Sequence, residues 1–361
     1  MTEKNKSEHY QKIISYFLGF ISLTLFVYIL IAFRTILIPV TIAVFMTFLF
    51  HPVLEYLHKF KVPKGISLIL ILLGLIGVTY LIVVMFESNA QAFSGKYNYY
   101  AGNFNKAVES ILAVFNMNTN DLAVMLHFKS GKFTFNEIAE SLLNSGVIPQ
   151  IFNSVTSLIE DIFITLLFWG LMIMGKDKFE DRLKVAFAER DDFISDNIQS
   201  VDNQLQNYIF IKSVLSIFTG LITSLVLWIL GVDFPVIWGV LAFILNYIPS
   251  IGAIISIIFP VSIALLQYGI GIRAILAGAI LFVIHNLVGN LLEPQMMGKR
   301  MDLSPVFVLF SLFFWGWVWG IPGMFLAVPI ASIIKIFCGI IEPLKPLAII
   351  LGGNPETKKV I

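Results

Sequence analysis

The sequence predicts an all-α, polytopic integral membrane helical bundle of about 8 membrane segments, two of them broken by proline and glycine or re-entrant, with a small extracytoplasmic helical segment. Three observations predict it. Of 361 residues, 58% are hydrophobic and 13% charged, with a mean hydropathy of +0.87. A soluble domain carries about 25% charge, so lipid is the solvent for most of this chain. Apolar runs of spanning length recur, separated by lysine-bearing links. Finally, the runs from Phe234 to Tyr268 and from Pro305 to Phe337 are too long for one span: unbroken, each would rise about 50 Å against a hydrocarbon core of roughly 30 Å. Each is interrupted near its middle, the first at Asn246 to Gly252 and the second at Trp319 to Gly323.

Residues 1–86 read as spans 1 to 3. Ile13 to Phe33 follows Lys4, Lys6 and Lys12; it is too long for a signal-peptide core, has no small-residue cleavage site, and is expected to be retained. Span 2, from about Ile36 to Phe50, is expected to close at His51-Pro52, and span 3 runs from Ile66 to Phe86. Lysines before span 1, and Lys59, Lys61 and Lys64 between spans 2 and 3, put the N-terminus in the cytoplasm.

Residues 87–150 then form an extracytoplasmic helical segment. Thr134-Phe135-Asn136-Glu137 has capping-box spacing, Gly146 is a fitting stop, and Asn105 to Phe115 reads as amphipathic helix. Span 4 occupies residues 151–174. It carries Glu160 and Asp161, which are either coupling acids within the membrane or headgroup-level residues of a span that starts near Ser157.

Residues 175–207 are strongly charged, as a cytoplasmic stretch is, and Ile194, Ile198, Val201 and Leu205 mark one helical stripe. The transport core follows at 208–341. Its first span, Tyr208 to Gly231, holds Lys212 near one end, where a lysine is able to snorkel. By parity the first broken element enters from outside, the helix from Ala274 to Leu292 crosses back, and the second broken element enters from inside. Phe234-Pro235-Val236 parallels Ser304-Pro305-Val306, and each element has a late proline, Pro260 or Pro329. Two related elements of opposite orientation are what an inverted repeat produces, with the transported species bound between them. Residues 342–361 form a cytoplasmic tail.

Several residues carry chemistry. Asn286, Asn290 and Glu293 follow at i, i+4 and i+7, within about 60° on a regular helix, beside Gly289 and one position off His285. Amides and a carboxylate in an apolar helix either line a polar path or bond neighbouring helices while Glu293 ends the span. Pro249 and Pro322 free backbone groups at membrane depth; Gly252 and Gly323 supply the permissive backbone; Asn246 binds solute or caps the turn. Trp315, Trp317 and Trp319 form an interfacial belt or line the second break.

Enzyme signatures are missing. There is no H-E-x-x-H or G-x-S-x-G, and the glycine and lysine of Gly170 to Lys176 lack the Ser or Thr of a phosphate loop, since Asp177 stands there. The single cysteine, Cys338, excludes an intramolecular disulfide and reads as an inert buried thiol. A net charge of +1 gives no pull toward nucleic acid. No cofactor is expected.

Four stretches resemble the autoinducer-2 exporter family, the PerM-like permeases: Leu245 to Gly252, Asn290 to Lys299, Leu303-Ser304-Pro305, and Gly320 to Pro329, in that order along the last third of the chain. The family frequently has an acidic or glutamine-type residue where this chain has His285 or Asn286. The resemblance implies multi-pass proteins of the bacterial inner membrane, exporters of autoinducer-2 or sodium(lithium)/proton antiporters, and homo-oligomers, pentamers among them. The expected function is a secondary transporter for a small polar solute or a monovalent cation. Its path is lined by Asn246, Pro249, Gly252, Asn286, Asn290, Glu293, Pro322 and Gly323. A non-transporting membrane scaffold is the reading from another class.

Overall fold

A computed structural model describes residues 3–125, 133–144, 161–175, 182, 191–297 and 303–353. The helices are α1 (Glu3–Ala32), α2 (Arg34–Lys59), α3 (Lys64–Gly95), α4 (Tyr97–Val114), α5 (Thr119–Met125), α6 (Phe135–Asn144), α7 (Asp161–Gly175), α8 (Asp191–Ile229), α9 (Pro235–Leu245), α10 (Ile251–Tyr268), α11 (Ile272–Asn286), α12 (Glu293–Met297), α13 (Pro305–Trp319), α14 (Ile321–Ile340) and α15 (Lys345–Leu351). A π-helical stretch, Leu287–Leu292, joins α11 to α12 so that Ile272–Met297 is one rod. Among the described residues 7 helices are long and apolar enough to cross a membrane, and α7, α9 and α13 are shorter apolar helices.

Burial sorts these helices. In α1 only 6% of the apolar window is buried, whereas in α8 and α14 the share is 44%. The first is therefore peripheral, with Phe17 and Phe20 turned outward to the hydrocarbon, and the other two are central. A separate cluster joins α2, α3 and α7 around Trp169, whose ring meets Phe50 at 5.3 Å.

Span 2 does not stop at His51-Pro52: α2 runs on to Lys59 with Pro39 and Pro52 inside it. A proline deletes one helical hydrogen bond, but leaving the helix in lipid strands several more, so the helix persists. In the same way α3 continues past Phe86 to Gly95, and α8 is one helix from Asp191 through the span to Ile229. The side chains of Ile194, Ile198 and Val201 lie outside the described set, as do Gly146 and Glu160.

Helices α4 to α6 form the small helical layer. Thr134 Oγ1 accepts the N–H of Glu137 at 3.4 Å, the N-cap half of the expected capping box. The layer docks on the loops beside α9 and α10. Lys96 Nζ lies 2.7 Å from Asp233, Tyr100 donates to the same carboxylate at 2.6 Å, and Tyr99 and Asn103 donate to the carbonyl of Gln267.

Both broken elements are antiparallel helical hairpins. In the first, Trp238 on α9 stacks on Phe259 on α10, and a Cβ on Gly252 would overlap the Leu245 carbonyl, so the chain reverses there. Its open end is closed by Gln267, which accepts from the Asp233 N–H and donates to the Gly231 carbonyl. In the second, Ser311 on α13 donates to the carbonyl of Ala327 on α14 at 2.8 Å, and a Cβ on Gly323 would overlap the Trp315 carbonyl. This turn is made at Gly320, whose φ of 67° suits glycine; Pro322 sits in the first turn of α14. The rod Ile272–Met297 separates the two open ends. Its 26 residues span about 39 Å at 1.5 Å each.

Candidate functional site

The site is built on α8. Lys212, Ser216, Thr219 and Thr223 recur at i, i+4, i+7 and i+11 and form one face of that helix, and all four are at most 2% exposed. Helix α9 runs back along this face. Gly220 and Gly239 let the two backbones touch, since a Cβ on either glycine would meet the carbonyl of the other. From Ile229 to Ser213 the descent is about 24 Å, and there the first hairpin turns.

At that turn Asn246 Nδ2 donates to Ser216 Oγ at 3.0 Å, and the Tyr247 hydroxyl meets Ser213 Oγ at 2.7 Å. The Tyr247 ring stacks on Phe325 of α14 with centroids 4.5 Å apart. Ile248 enters one core cluster with Trp315, Trp319 and Leu326, so the turns of the two hairpins share a packing unit. Trp315 and Trp319 thus line the second break, and Trp319 Nε1 donates to the Leu30 carbonyl, while Trp317 is exposed.

The rod Ile272–Met297 supplies the acid. Lys212 Nζ lies 2.7 Å from both carboxylate oxygens of Glu293. The lysine side chain is 3% exposed and that of the glutamate 22%. Lys212 therefore does not snorkel: it points inward, because a carboxylate within the bundle is a better partner than a distant interface. Tyr208, buried on the same helix, stands within electrostatic reach of Glu293 and Tyr247.

The π-helical stretch just before Glu293 alters the expected register. On a regular helix Asn286, Asn290 and Glu293 would share a stripe; the wider turn divides them. Asn290 Nδ2 donates to Asn286 Oδ1 at 3.0 Å and Asn286 to the Phe282 carbonyl, with Asn290 exposed, while Glu293 turns to Lys212. Gly289 has open space around it. Asp161 lies on α7, which packs on α2 and α3.

Sequence reasoning missed Lys212 as a partner and with it Ser213, Ser216 and Tyr247. The signal was present as a lysine followed by hydroxyl residues at helical spacing. Among the described residues four buried side-chain atoms lack a protein hydrogen-bond partner: Trp169 Nε1 on α7, away from this site, and Thr223 Oγ1 on α8, Ser256 Oγ on α10 and His285 Nε2 on α11. Helices α8, α10 and α11 contribute to one core cluster, and a buried polar atom left alone costs about 1–3 kcal/mol, so the last three atoms leave unmet polar capacity among these helices. Among the described residues no group of three His, Cys, Asp or Glu side chains is placed to hold a metal ion.

Residues 20–342 match the sequence model of the AI-2E family transporters. A candidate transport protein of Borreliella burgdorferi is 28% identical over 319 residues, 88% of this chain and 84% of its own length. The AI-2 transport protein TqsA of Escherichia coli K12 is 27% identical over 303 residues, 83% of this chain and 85% of its own. YhhT of the same organism, another candidate transport protein, is 44% identical over 155 residues, 43% of this chain and 44% of its own.

Proposed function

The chain belongs to the AI-2E family of transporters, and from that premise we propose that it moves a small polar solute such as autoinducer-2 across the bilayer without ATP, by a path between its two hairpin turns. The observation that carries this reading is the inward-facing ion pair between Lys212 and Glu293 beside the first turn. Taking two charges out of water costs several kcal/mol per ion, so such a pair is an expensive way to hold helices together and a suitable gate. Around it Ser213, Ser216, Asn246 and Tyr247 offer hydroxyl and amide groups that bond one another, with Ser213 also donating to the Ile209 carbonyl. A polar solute exchanges those bonds for its own, and rocking one hairpin against the other exposes it to alternate sides. Both hairpins are re-entrant in this reading, with both termini cytoplasmic. The amides of Asn286 and Asn290 face a second copy in a homo-oligomer, pentameric by family resemblance.

A second reading is sodium(lithium)/proton antiport. It is favoured by the nature of the Glu293 partner, an internal cation that an entering sodium or lithium ion replaces. Flux in proteoliposomes tests both: labelled autoinducer-2 reports the solute, and an entrapped pH dye with sodium or lithium pulses reports the exchange. Glu293→Gln abolishes pH-linked exchange if antiport is the activity, and slows a neutral solute only in part. The double variant Lys212→Met/Glu293→Leu stops either. Unchanged flux in that double variant, checked for folding by melting, removes the pair from the mechanism.

A further inference from the structure

We propose that α8, α10 and the rod Ile272–Met297 enclose a file of internal water that carries protons to the Lys212–Glu293 pair, apart from the path between the hairpin turns. The file is anchored by three buried atoms that lack a protein partner, Thr223 Oγ1, Ser256 Oγ and His285 Nε2, on residues exposed at 0%, 1% and 5%. Each shares a helical face with members of one core cluster: Thr223 with Leu227, Ser256 with Ile263, and His285 with Leu281 and Val288. All three therefore turn into the same interior. Ser256 brings a second acceptor there, because the buried Pro260 has no N–H to give the Ser256 carbonyl, its partner four residues back.

Two contacts set the depths. A Cβ on Gly278 would touch Val261 at 3.5 Å, so α10 and the rod are level there; counting on at 1.5 Å per residue puts Ser256 and His285 within about 3 Å of one depth. The ion pair fixes α8 against the rod in the same way: from it Thr223 lies about 16 Å and His285 about 12 Å along their helices. Between Thr223 and Lys212 the buried face of α8 offers Thr219 and Ser216 at steps of about 4.5–6 Å, the span of one water hydrogen-bonded on both sides. Thr219 donates to the Leu215 carbonyl and Ser216 accepts from Asn246, and each oxygen keeps a lone pair for water. A buried water makes about three hydrogen bonds, which these groups supply.

The titratable side chains of Gln204–Ile229, α10, the first hairpin turn and the rod sort along the file. Tyr208, Lys212, Tyr247 and Glu293 lie at the end of the pair, Tyr268 and Arg273 at the end that carries the α4 layer, and His285 between. The Arg273 guanidinium rests 4.8 Å from the centre of the Tyr268 ring. A proton entering there hops from water to water and binds a Glu293 oxygen, which frees Lys212 from the carboxylate; no other reactant is consumed. This use of the file rests on the antiport reading, and the presence of the water does not.

X-ray hydroxyl-radical labelling of the full chain in detergent, in which radicals form from the water beside a side chain, tests the file. His285 labels despite its burial, whereas Phe45, 8% exposed in the other core cluster, does not. The double variant Thr223→Val/Ser256→Ala loses most of the His285 labelling. Its melting temperature falls, because partners of held water are gone; were the atoms dry, deleting unpaired polar groups would raise it. An unlabelled His285, labelling unchanged in the double variant, or a rise in its melting temperature overturns the file. In proteoliposomes with sodium pulses and an entrapped pH dye the double variant loses most of its pH-linked exchange, and exchange at the wild-type rate overturns the proton route. Wild-type protein that labels at His285 but shows no pH-linked exchange removes the antiport reading and the proton route with it, while the water file stands on the labelling.

Discussion

Tyr247, in the turn of the first hairpin, stacks on Phe325 near the start of the second hairpin's return helix, with centroids 4.5 Å apart and ring planes at 21°. The same tyrosine holds α8 through its hydroxyl, 2.7 Å from Ser213. One side chain thus ties both hairpins to the helix that carries Lys212, and its two contacts separate by mutation. Tyr247→Phe keeps the ring pair and forfeits one hydrogen bond, about 1 kcal/mol. Phe325→Ala keeps the hydrogen bond and forfeits the ring pair, worth about 0.5–1.5 kcal/mol beyond buried area. If the hairpin turns must stay in register for transport, Phe325→Ala lowers flux more than Tyr247→Phe does. Proteoliposome flux set beside thermal melting of both variants checks it; a larger flux loss in Tyr247→Phe would place the sensitivity in the hydroxyl instead.

The ion pair gives a prediction about stability that does not depend on the solute. Lys212→Met strands a carboxylate and Glu293→Gln strands an ammonium, so each single variant loses about 3–5 kcal/mol. Replacing both with apolar side chains of similar volume, Lys212→Met/Glu293→Leu, recovers most of that loss because no charge is left to desolvate. A double-mutant cycle on denaturant unfolding in detergent measures the coupling. Additive losses would mean that water or another group already solvates each partner.

Much of this arrangement was legible in the sequence, and the parts that were not share a cause. The two breaks show as proline and glycine inside apolar text, and the structure has a hairpin at each. Glu293 and Asn246 stand out as polar residues where lipid tolerates few. The partner of Glu293 did not stand out, because Lys212 is 81 residues away and helical spacing relates only residues on one helix. The π-helical stretch at Leu287–Leu292 has no composition signature, and it moves Glu293 off the stripe that Asn286 and Asn290 share. Pro52 read as a stop under rules set by water, where a released carbonyl finds a new partner; beside lipid the helix continues. Helix α3 likewise outlasts its apolar stretch, since Glu87 marks an end of hydropathy and not of hydrogen bonding.

Glycines at the two hairpin turns should respond differently from the one in the π-helical stretch. A methyl group on Gly252 meets the Leu245 carbonyl, and one on Gly323 meets the Trp315 carbonyl, both backbone atoms that a side-chain rotation does not move. Gly252→Ala and Gly323→Ala therefore force the helices of each hairpin apart and cost at least about 2 kcal/mol, in the overpacking range. Gly289→Ala meets open space and changes stability by under about 1 kcal/mol, with helix propensity in its favour. Thermal melting of the three purified variants tests the contrast, and a turn that accepted alanine without loss would have to be looser than two backbones in contact.

The docking of the α4 layer predicts an alkaline dependence with a definite sign. Tyr100 is buried and donates to Asp233 at 2.6 Å, with Lys96 on the other side of the carboxylate and Tyr99 adjacent. Burial first, then the hydrogen bond to Asp233 and the charges of Asp233 and Tyr99, hold its phenol well above the ordinary tyrosine range. A folded-state value raised above the unfolded one means that the folded protein holds this proton more tightly. The stabilisation is fully present below about pH 10, the unfolded value, and is lost as pH rises through the higher folded one. Tyr100→Phe removes a hydrogen bond to a charged group and costs about 1.5–3 kcal/mol at neutral pH. It also removes the alkaline contribution, so the melting temperatures of wild type and variant converge above pH 10. Melting against pH, with tyrosinate absorbance to follow ionisation, checks both. A Tyr100 that ionised with the exposed tyrosines would mean that the layer lifts from Asp233 before the proton leaves, and the pH dependence would then belong to the docking of α4 as a whole.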